Sequence, residues 1–212
     1  MQRGGKTMEN YWKFLNYRDN LSITKYRKPI TQPKAYIADI LKNEPGILDI
    51  GAGDRRLLKH LKEKNFFGDY RSCDIDVETY QDFYNIDEVT GKYSAITLIE
   101  ILEHIPLSNA IPLLRSAIKR LESNGTIIIT VPNVYCPGAL EQTDITHVQH
   151  WPVHDLCALL IMLGFRNRFE LYKVYSQSFY GISPIRELIN KILRKLICFD
   201  YCSGIILRAN KN

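Results

Sequence analysis

The chain has no cysteine pair, no long apolar run and no dense block of one charge. Its five cysteines (Cys73, Cys136, Cys157, Cys198 and Cys202) are odd in number and scattered, and no two have CxxC spacing. That pattern indicates neither a disulfide framework nor a zinc ribbon. Cys73 and Cys157 sit in apolar patterns and are expected as buried thiols, for which a reducing cytoplasm is the simplest home. No apolar run approaches the roughly 18 residues needed to span a bilayer. The opening stretch, MQRGGKTMENYWKF, has no signal-peptide pattern. A cytoplasmic protein, soluble or peripheral to a membrane, is expected. A net charge of only +5 without a basic block does not announce a nucleic-acid binder. It suits an anionic substrate or a surface near anionic lipid equally well. Internal repeats and low-complexity linkers are missing too.

What is present is an ordinary globular composition, 45% apolar and 24% charged over 212 residues, suited to one compact domain. Residues 1–212 are expected to form a single domain, with 1–31 as an aromatic, basic, helical arm or lid and 32–212 as the core. Along that core the pattern alternates. Helices are expected at Gln32–Lys42, Arg55–Lys64, Asn109–Leu121 (capped by Ser108), Val153–Leu163 and Ser183–Cys198, with a weak one at Val77–Gln81. Strands are expected at Ile47–Ile50, Tyr70–Cys73, Ser94–Ile99, Thr126–Val131, Phe169–Val174 and Gly204–Arg208, with a short extended piece at Phe83–Ile86. Strands alternating with helices predict an α/β, Rossmann-like, doubly wound sheet of seven strands. It should be mostly parallel, with an antiparallel edge from the late strands.

The most informative stretch is ILDIGAGDRRLLKHL, Ile47–Leu61. An apolar run ends in Asp49, a Gly-x-Gly turn follows at Gly51 and Gly53, and Leu57, Leu58 and Leu61 then fall on one side of a helix. Glycine lets backbone approach a ligand closely and tolerates φ > 0. The helix start behind it presents free N–H groups. In a doubly wound sheet this turn belongs at the topological switch point, beyond the carboxyl ends of the strands. A nicotinamide fingerprint would want a further glycine where Arg56 stands.

Three segments taken together resemble the class I S-adenosylmethionine-dependent methyltransferases: Asp49–Gly53, the acid Asp74 in CDID, and LIEILEHI followed by ESNGTIIITVPN. The resemblance runs from about Ala35 to Phe165. It implies that Gly51, Ala52 and Gly53 pass under the methionine part of the cofactor, with Asp49 nearby to orient it. Asp74 would accept both ribose hydroxyls, Ile75 would pack on adenine, Asp87 would meet the adenine amino group, and Ile99 would line the pocket by the methyl. Arg55 departs from the pattern, standing where the family often has a third glycine. It is either a solvated arginine on a first helical turn, or a residue reaching over the cleft to the cofactor carboxylate or an anionic substrate.

Glu100, Glu103 and His104 have i, i+3, i+4 spacing, which places them on one face if the turn is α-helical. THVQHW follows later, with His147 and His150 before Trp151. This is similar to the Glu-x-x-Glu-His turn and later histidine of two methyltransferase groups: small-RNA 3′-terminal 2′-O-methyltransferases and ubiquinone-pathway O-methyltransferases. By that resemblance Glu100, Glu103, His104 and His147 would hold a divalent metal ion beside the accepting hydroxyl. A metal-free polar site, with His104 positioning substrate or acting as base, stands as the alternative, and His150 could replace His147. His60 and His154 are expected to face solvent.

In the Ser183–Cys198 helix, Ile185, Leu188, Ile189, Ile192, Leu193, Leu196 and Ile197 form an apolar stripe opposite Arg186, Lys191, Arg194 and Lys195. Such a stripe packs on the chain's own sheet or a homodimer partner, or lies on anionic membrane. The function expected is O-methylation of a small-molecule or glycan- or lipid-linked acceptor, with His104 and His147 as catalytic residues. The tyrosine-containing loop Tyr135–Thr146 and the arm would wall the pocket. RNA 2′-O-methylation, or cofactor binding without catalysis, are the alternatives.

Overall fold

The computed structural model describes residues 4–136, 144–175 and 202–212. The expected helix Ser183–Cys198 and most of the loop before Thr146 therefore lie outside the described residues. The elements run α1 (Gly4–Asp19), β1 (Ile23–Ile30), α2 (Pro33–Leu41), β2 (Gly46–Ile50), α3 (Arg56–Glu63), β3 (Asp69–Cys73), β4 (Tyr93–Ile99), α4 (Leu107–Arg120), β5 (Leu121–Pro132), α5 (Val153–Met162), β6 (Phe165–Val174) and β7 (Gly204–Lys211). Two short 3₁₀ turns, Ile86–Glu88 and Leu102–His104, precede and follow β4.

Seven strands form one sheet in the order β1-β6-β7-β5-β4-β2-β3. All neighbours are parallel except β7, which runs antiparallel to both β5 and β6. The expected fold class is borne out, with one correction: the antiparallel strand lies inside the sheet. The edge beyond it is built by β1, parallel to β6, and β1 comes from the stretch expected as an arm or lid.

Strands buried on both faces read as near-continuous apolar runs, and the period-two alternation then sorts side chains between two cores. Ile96 and Leu98 of β4 join Leu114, Ala117 and Ile118 of α4 and Leu156, Cys157 and Leu160 of α5. Ala95 and Ile99 face the opposite core with Ile37, Ala38 and Leu41 of α2 and Leu57 and Leu61 of α3. Cys73 and Cys157 are buried as expected, and burial pushes both thiols up to about 12.

Local chemistry overrode several expected boundaries. No helix forms at 77–81; there the Asp76 carboxylate accepts from the Glu78 amide at 2.9 Å and the Thr79 hydroxyl at 3.2 Å, folding the chain into turns. The piece at 83–86 shrinks to a single bridge between Cys73 and Phe83. Helix α4 starts at Leu107 behind Pro106, not after Ser108, and ends at Arg120. Asn124, at φ +63°, lies in the irregular opening of β5 rather than at the helix end.

The chain leaves β2 outward to β3, then crosses back to β4 on the other side of β2. The switch point is therefore between β2 and β4, and both sequence motifs leave the sheet there at its carboxyl end.

Candidate functional site

The glycine turn follows directly from the end of β2. Gly51 takes φ +70° and its amide donates to the Cys73 carbonyl at 2.7 Å. A Cβ at Gly51 would fall on the Ile101 side chain, whereas a Cβ at Gly53, φ +50°, would meet nothing within 4 Å. The first glycine is required by packing and conformation. The second borders open space, as a ligand-facing turn requires.

Asp49 does not point into that space. It is buried, and its carboxylate accepts from the Thr97 hydroxyl at 2.6 Å and the Tyr70 hydroxyl at 2.7 Å. These donors come from the strands on either side of β2. Burial raises its pKa above the usual carboxylate range, against the pull of the two hydroxyls. Asp74 does face the turn: its Oδ2 accepts from the Gly53 amide at 2.8 Å and its Oδ1 from the Asp76 amide at 3.0 Å. Each oxygen keeps lone pairs for a further donor. Ile75 beside it is 87% exposed, an apolar side chain with no protein packed on it. Asp87 is exposed in the first 3₁₀ turn, and Ile99 ends β4 buried against α2 and α3.

Arg55 is neither solvated nor stretched over the cleft. Its backbone keeps the left-handed conformation, φ 59° and ψ 33°, that a glycine would adopt freely. For a side-chain-bearing residue that costs roughly 1–2 kcal/mol. Its guanidinium meets Asp82 at 3.2 Å and lies over the rings of Tyr70 and Tyr80, 5.4 and 5.2 Å from their centroids. Asp82 also accepts from the amide and hydroxyl of Ser72 at 2.9 and 3.0 Å. Although burial opposes it, these bonds and the charges of Arg55 and Arg71 hold the Asp82 carboxyl below its usual range.

At the end of β4 the expected shared helical face does not form. Glu100 takes φ +58°, its amide donating to the Thr130 hydroxyl at 2.8 Å, and its side chain turns out to Lys34 at 3.8 Å. The following turn is 3₁₀ and holds only Glu103 and His104. Glu103 is buried, and its Oε2 has no hydrogen-bond partner. Burial raises its pKa, countered by the charges of His104 and His147.

The THVQHW segment is fastened over this turn. Val148 and Gln149 amides donate to the Glu103 carbonyl at 2.8 and 3.1 Å, and the Trp151 indole to the Leu102 carbonyl at 2.8 Å. His147 is brought inward and His150 stays exposed. Glu103, His104 and His147 then offer ligand atoms all within 4.8 Å of one another. Glu100 is not in that group, which corrects the expected four-residue set. The three line a cleft of about 390 Å³ together with Glu100, Asp144, Thr130 and Pro33.

His104 is oriented from behind. Its Nδ1 lies 3.2 Å from the Thr146 carbonyl and 2.9 Å from the Thr146 hydroxyl, which itself donates to Asp144 at 2.6 Å. A carbonyl can only accept, so Nδ1 carries a proton and Nε2 is the ring nitrogen left to exchange one.

Against this geometry, a family described as a methyltransferase domain matches residues 23–177. The chain belongs to that family. It is similar in structure to an S-adenosylmethionine-dependent methyltransferase from Archaeoglobus fulgidus, with 18% identity, 84% of this chain and 94% of that one covered, and a TM-score of 0.65. It is similar to magnesium protoporphyrin IX methyltransferase from Synechocystis PCC 6803, solved with bound S-adenosylhomocysteine, at 15% identity, 85% and 83% coverage and TM-score 0.57. A plantazolicin methyltransferase, solved with a monoazolic desmethylPZN analogue and S-adenosylhomocysteine, shares 15% identity, 98% and 89% coverage and TM-score 0.53. At these identities the likeness is one of fold. No curated protein matches by sequence.

The class I methyltransferase expectation is therefore borne out for family and fold. Not legible in the sequence of this methyltransferase are Thr97 and Tyr70 on Asp49, Lys34 on Glu100, and the Asp144–Thr146 pair behind His104. Only the last had a local signal: Asp-x-Thr two residues apart is the spacing of an Asx turn. His154 is half-buried rather than solvated, and burial lowers its pKa. His60 meets Glu63 at 3.0 Å. Among the described residues no helix is long and apolar enough to cross a membrane.

Proposed function

We propose that this methyltransferase uses S-adenosylmethionine and methylates an oxygen of a small-molecule or glycan- or lipid-linked acceptor, with His104 as the base. The observation that carries this reading is the orientation of His104: Thr146 holds its Nδ1, and the residue lines a cleft at the carboxyl end of β4, the same end of the sheet at which β2 runs into the glycine turn. S-adenosylhomocysteine in two of the similar structures supports the cofactor assignment. When bound, S-adenosylmethionine supplies a methyl on a cationic sulfur, open to direct displacement.

The chain's own residues align and deprotonate the acceptor. The backbone of Gly51, Ala52 and Gly53 passes beneath the methionine part, and Asp49 holds that turn from below through its strand neighbours. Asp74 offers its remaining lone pairs to the ribose hydroxyls, Ile75 its exposed face to adenine, and Asp87 its carboxylate to the adenine amino group. Ile99 closes the floor of the pocket. His104 Nε2 takes the hydroxyl proton, with His147 beside it.

A second reading is favoured by one observation, the buried and unpartnered Glu103 Oε2. Glu103, His104 and His147 would hold a divalent cation, which lowers the pKa of a nearby hydroxyl. Glu100 would join only by leaving Lys34.

Heat-stability shifts test the cofactor: S-adenosylmethionine and S-adenosylhomocysteine should each raise Tm, and a shift with NAD alone overturns the reading. Product mass after incubation with candidate acceptors tests the reaction, the expected result being a gain of one methylene on a hydroxyl-bearing acceptor. Full activity in chelator, with Glu103→Ala as active as wild type, would exclude the cation.

A further inference from the structure

We infer that Arg55 is a positioning residue for the cofactor pocket: it latches the Asp74–Phe83 loop to the glycine turn. The inference rests on the S-adenosylmethionine reading of that pocket.

The loop is the one that presents Asp74 and Ile75, and its attachment to the sheet is thin. Beyond β3 only one bridge, Cys73 to Phe83, continues the pairing, through the Phe83 amide to the Ser72 carbonyl at 3.0 Å and the Asp74 amide to the Phe83 carbonyl at 3.1 Å. Side chains replace the ladder. Gly53 is gripped on both sides of its residue, its amide by Asp74 at 2.8 Å and its carbonyl by the Gln81 side-chain amide at 2.8 Å. Gln81 is itself buried. Next to it, Asp82 receives Arg55 from the turn and Ser72 from β3.

Arg55 thus joins three pieces. Its backbone starts α3, its guanidinium lies near the rings of Tyr70 of β3 and Tyr80 of the loop, and its charge is paired by Asp82. A long, planar guanidinium can lie near both rings and still reach the carboxylate. A glycine at this position would ease the backbone and provide none of these contacts. The left-handed strain is retained because the side chain gives the loop its fixed place, and a preformed pocket binds more tightly than one that must be ordered on binding.

Calorimetric binding of S-adenosylhomocysteine to wild type, Arg55→Gly, Arg55→Lys and Asp82→Asn tests this, with thermal melts confirming that each variant is folded. Wild type is the control, since no binding to it overturns the cofactor reading itself. With wild type binding, Arg55→Gly and Asp82→Asn should each raise Kd about tenfold, and Arg55→Lys should recover part of the loss. KM for S-adenosylmethionine should rise by the same factor, with kcat at saturating cofactor within about twofold of wild type. Kd values for Arg55→Gly and Asp82→Asn equal to wild type overturn the latch, whatever happens to Tm. So does a loss confined to Arg55→Gly, because the pair, not the backbone, is what the inference requires.

Discussion

The rings of His104 and His147 meet edge to face, with 4.9 Å between centroids and 70° between planes, although α4 and β5 intervene between them in the chain. What joins them is backbone chemistry. The Glu103 carbonyl accepts from the Val148 and Gln149 amides, and the Leu102 carbonyl, already bonded to the Ile105 amide at 3.3 Å, accepts the Trp151 indole as well. The second histidine is therefore placed by the backbone acceptors of the first one's own turn.

Trp151→Phe should expose how much that fastening matters. The ring is buried, so phenylalanine keeps most of the packing but loses the indole bond to the Leu102 carbonyl, which keeps only the longer bond from the Ile105 amide at 3.3 Å. A loss of about 0.5–1.5 kcal/mol is expected, lowering Tm by roughly 2–4 °C for each kcal/mol in a chain of this size. Activity should fall further than stability explains, since His147 is freed as well. Equal activity per folded molecule would show that the segment does not need this anchor.

The Thr146 contact to His104 makes a graded prediction. His104→Gln removes the proposed base and should lower kcat by about 10²–10⁴-fold. Thr146→Val removes the hydroxyl that links Nδ1 to Asp144 but keeps the carbonyl. Its cost should be about tenfold, equivalent to roughly one hydrogen bond. Steady-state kinetics at saturating cofactor check both, and a Thr146→Val loss as large as that of His104→Gln would place the hydroxyl itself in the reaction.

The parts of the site that were legible in the sequence are those made by neighbours in the chain. Strand, glycine turn and helix from Ile47 to Leu61 follow from period and from glycine's conformational freedom. TIIITV is strand because β-branched residues fit a buried pleat. The strand β1 was not legible, because ITKYRKPI belongs to a sheet edge, where one neighbour suffices and charges and a proline are tolerated. Glu100 left the expected shared face because it adopts a positive φ, and Pro106 stops the turn after His104 from lengthening. The partners of Asp49 depend on register, Asp49 opposite Ser72 on one side and Thr97 on the other, and register is fixed by the whole sheet. The interior position of β7 is likewise a matter of long-range pairing.

Asp49 gives a pH test with a definite sign. Burial raises its folded-state pKa above the unfolded value of about 3.9. A carboxyl shifted that way takes up its proton first in the folded state as pH falls. Its contribution to stability is thus fullest below the unfolded value and is lost as pH rises through the folded one. Asp49→Asn cannot titrate. The difference in Tm, wild type minus variant, should therefore move in favour of wild type as pH is lowered through the folded value toward the unfolded one of about 3.9. Asp82 and Asp144, whose carboxyls are held low by their donors and cations, contribute with the opposite sign but are common to both proteins. A difference that is flat, or that moves against wild type, would mean that Asp49 is not strained by its burial.

The two glycines of the turn should separate folding from binding. Gly51→Ala adds a Cβ that falls on Ile101, at φ +70°. The left-handed cost of roughly 1–2 kcal/mol then adds to overpacking of about 1–3 kcal/mol. Tm should drop sharply, because the Gly51 amide also carries the bond to Cys73 that closes the turn on β3. Gly53→Ala meets no protein atom within 4 Å, so it should cost little beyond its φ of +50°. Its methyl instead projects into the space a cofactor would occupy. S-adenosylhomocysteine binding should weaken well beyond the change in Tm, most simply measured by calorimetry on both variants. Undiminished binding by Gly53→Ala would put the cofactor somewhere other than over this turn.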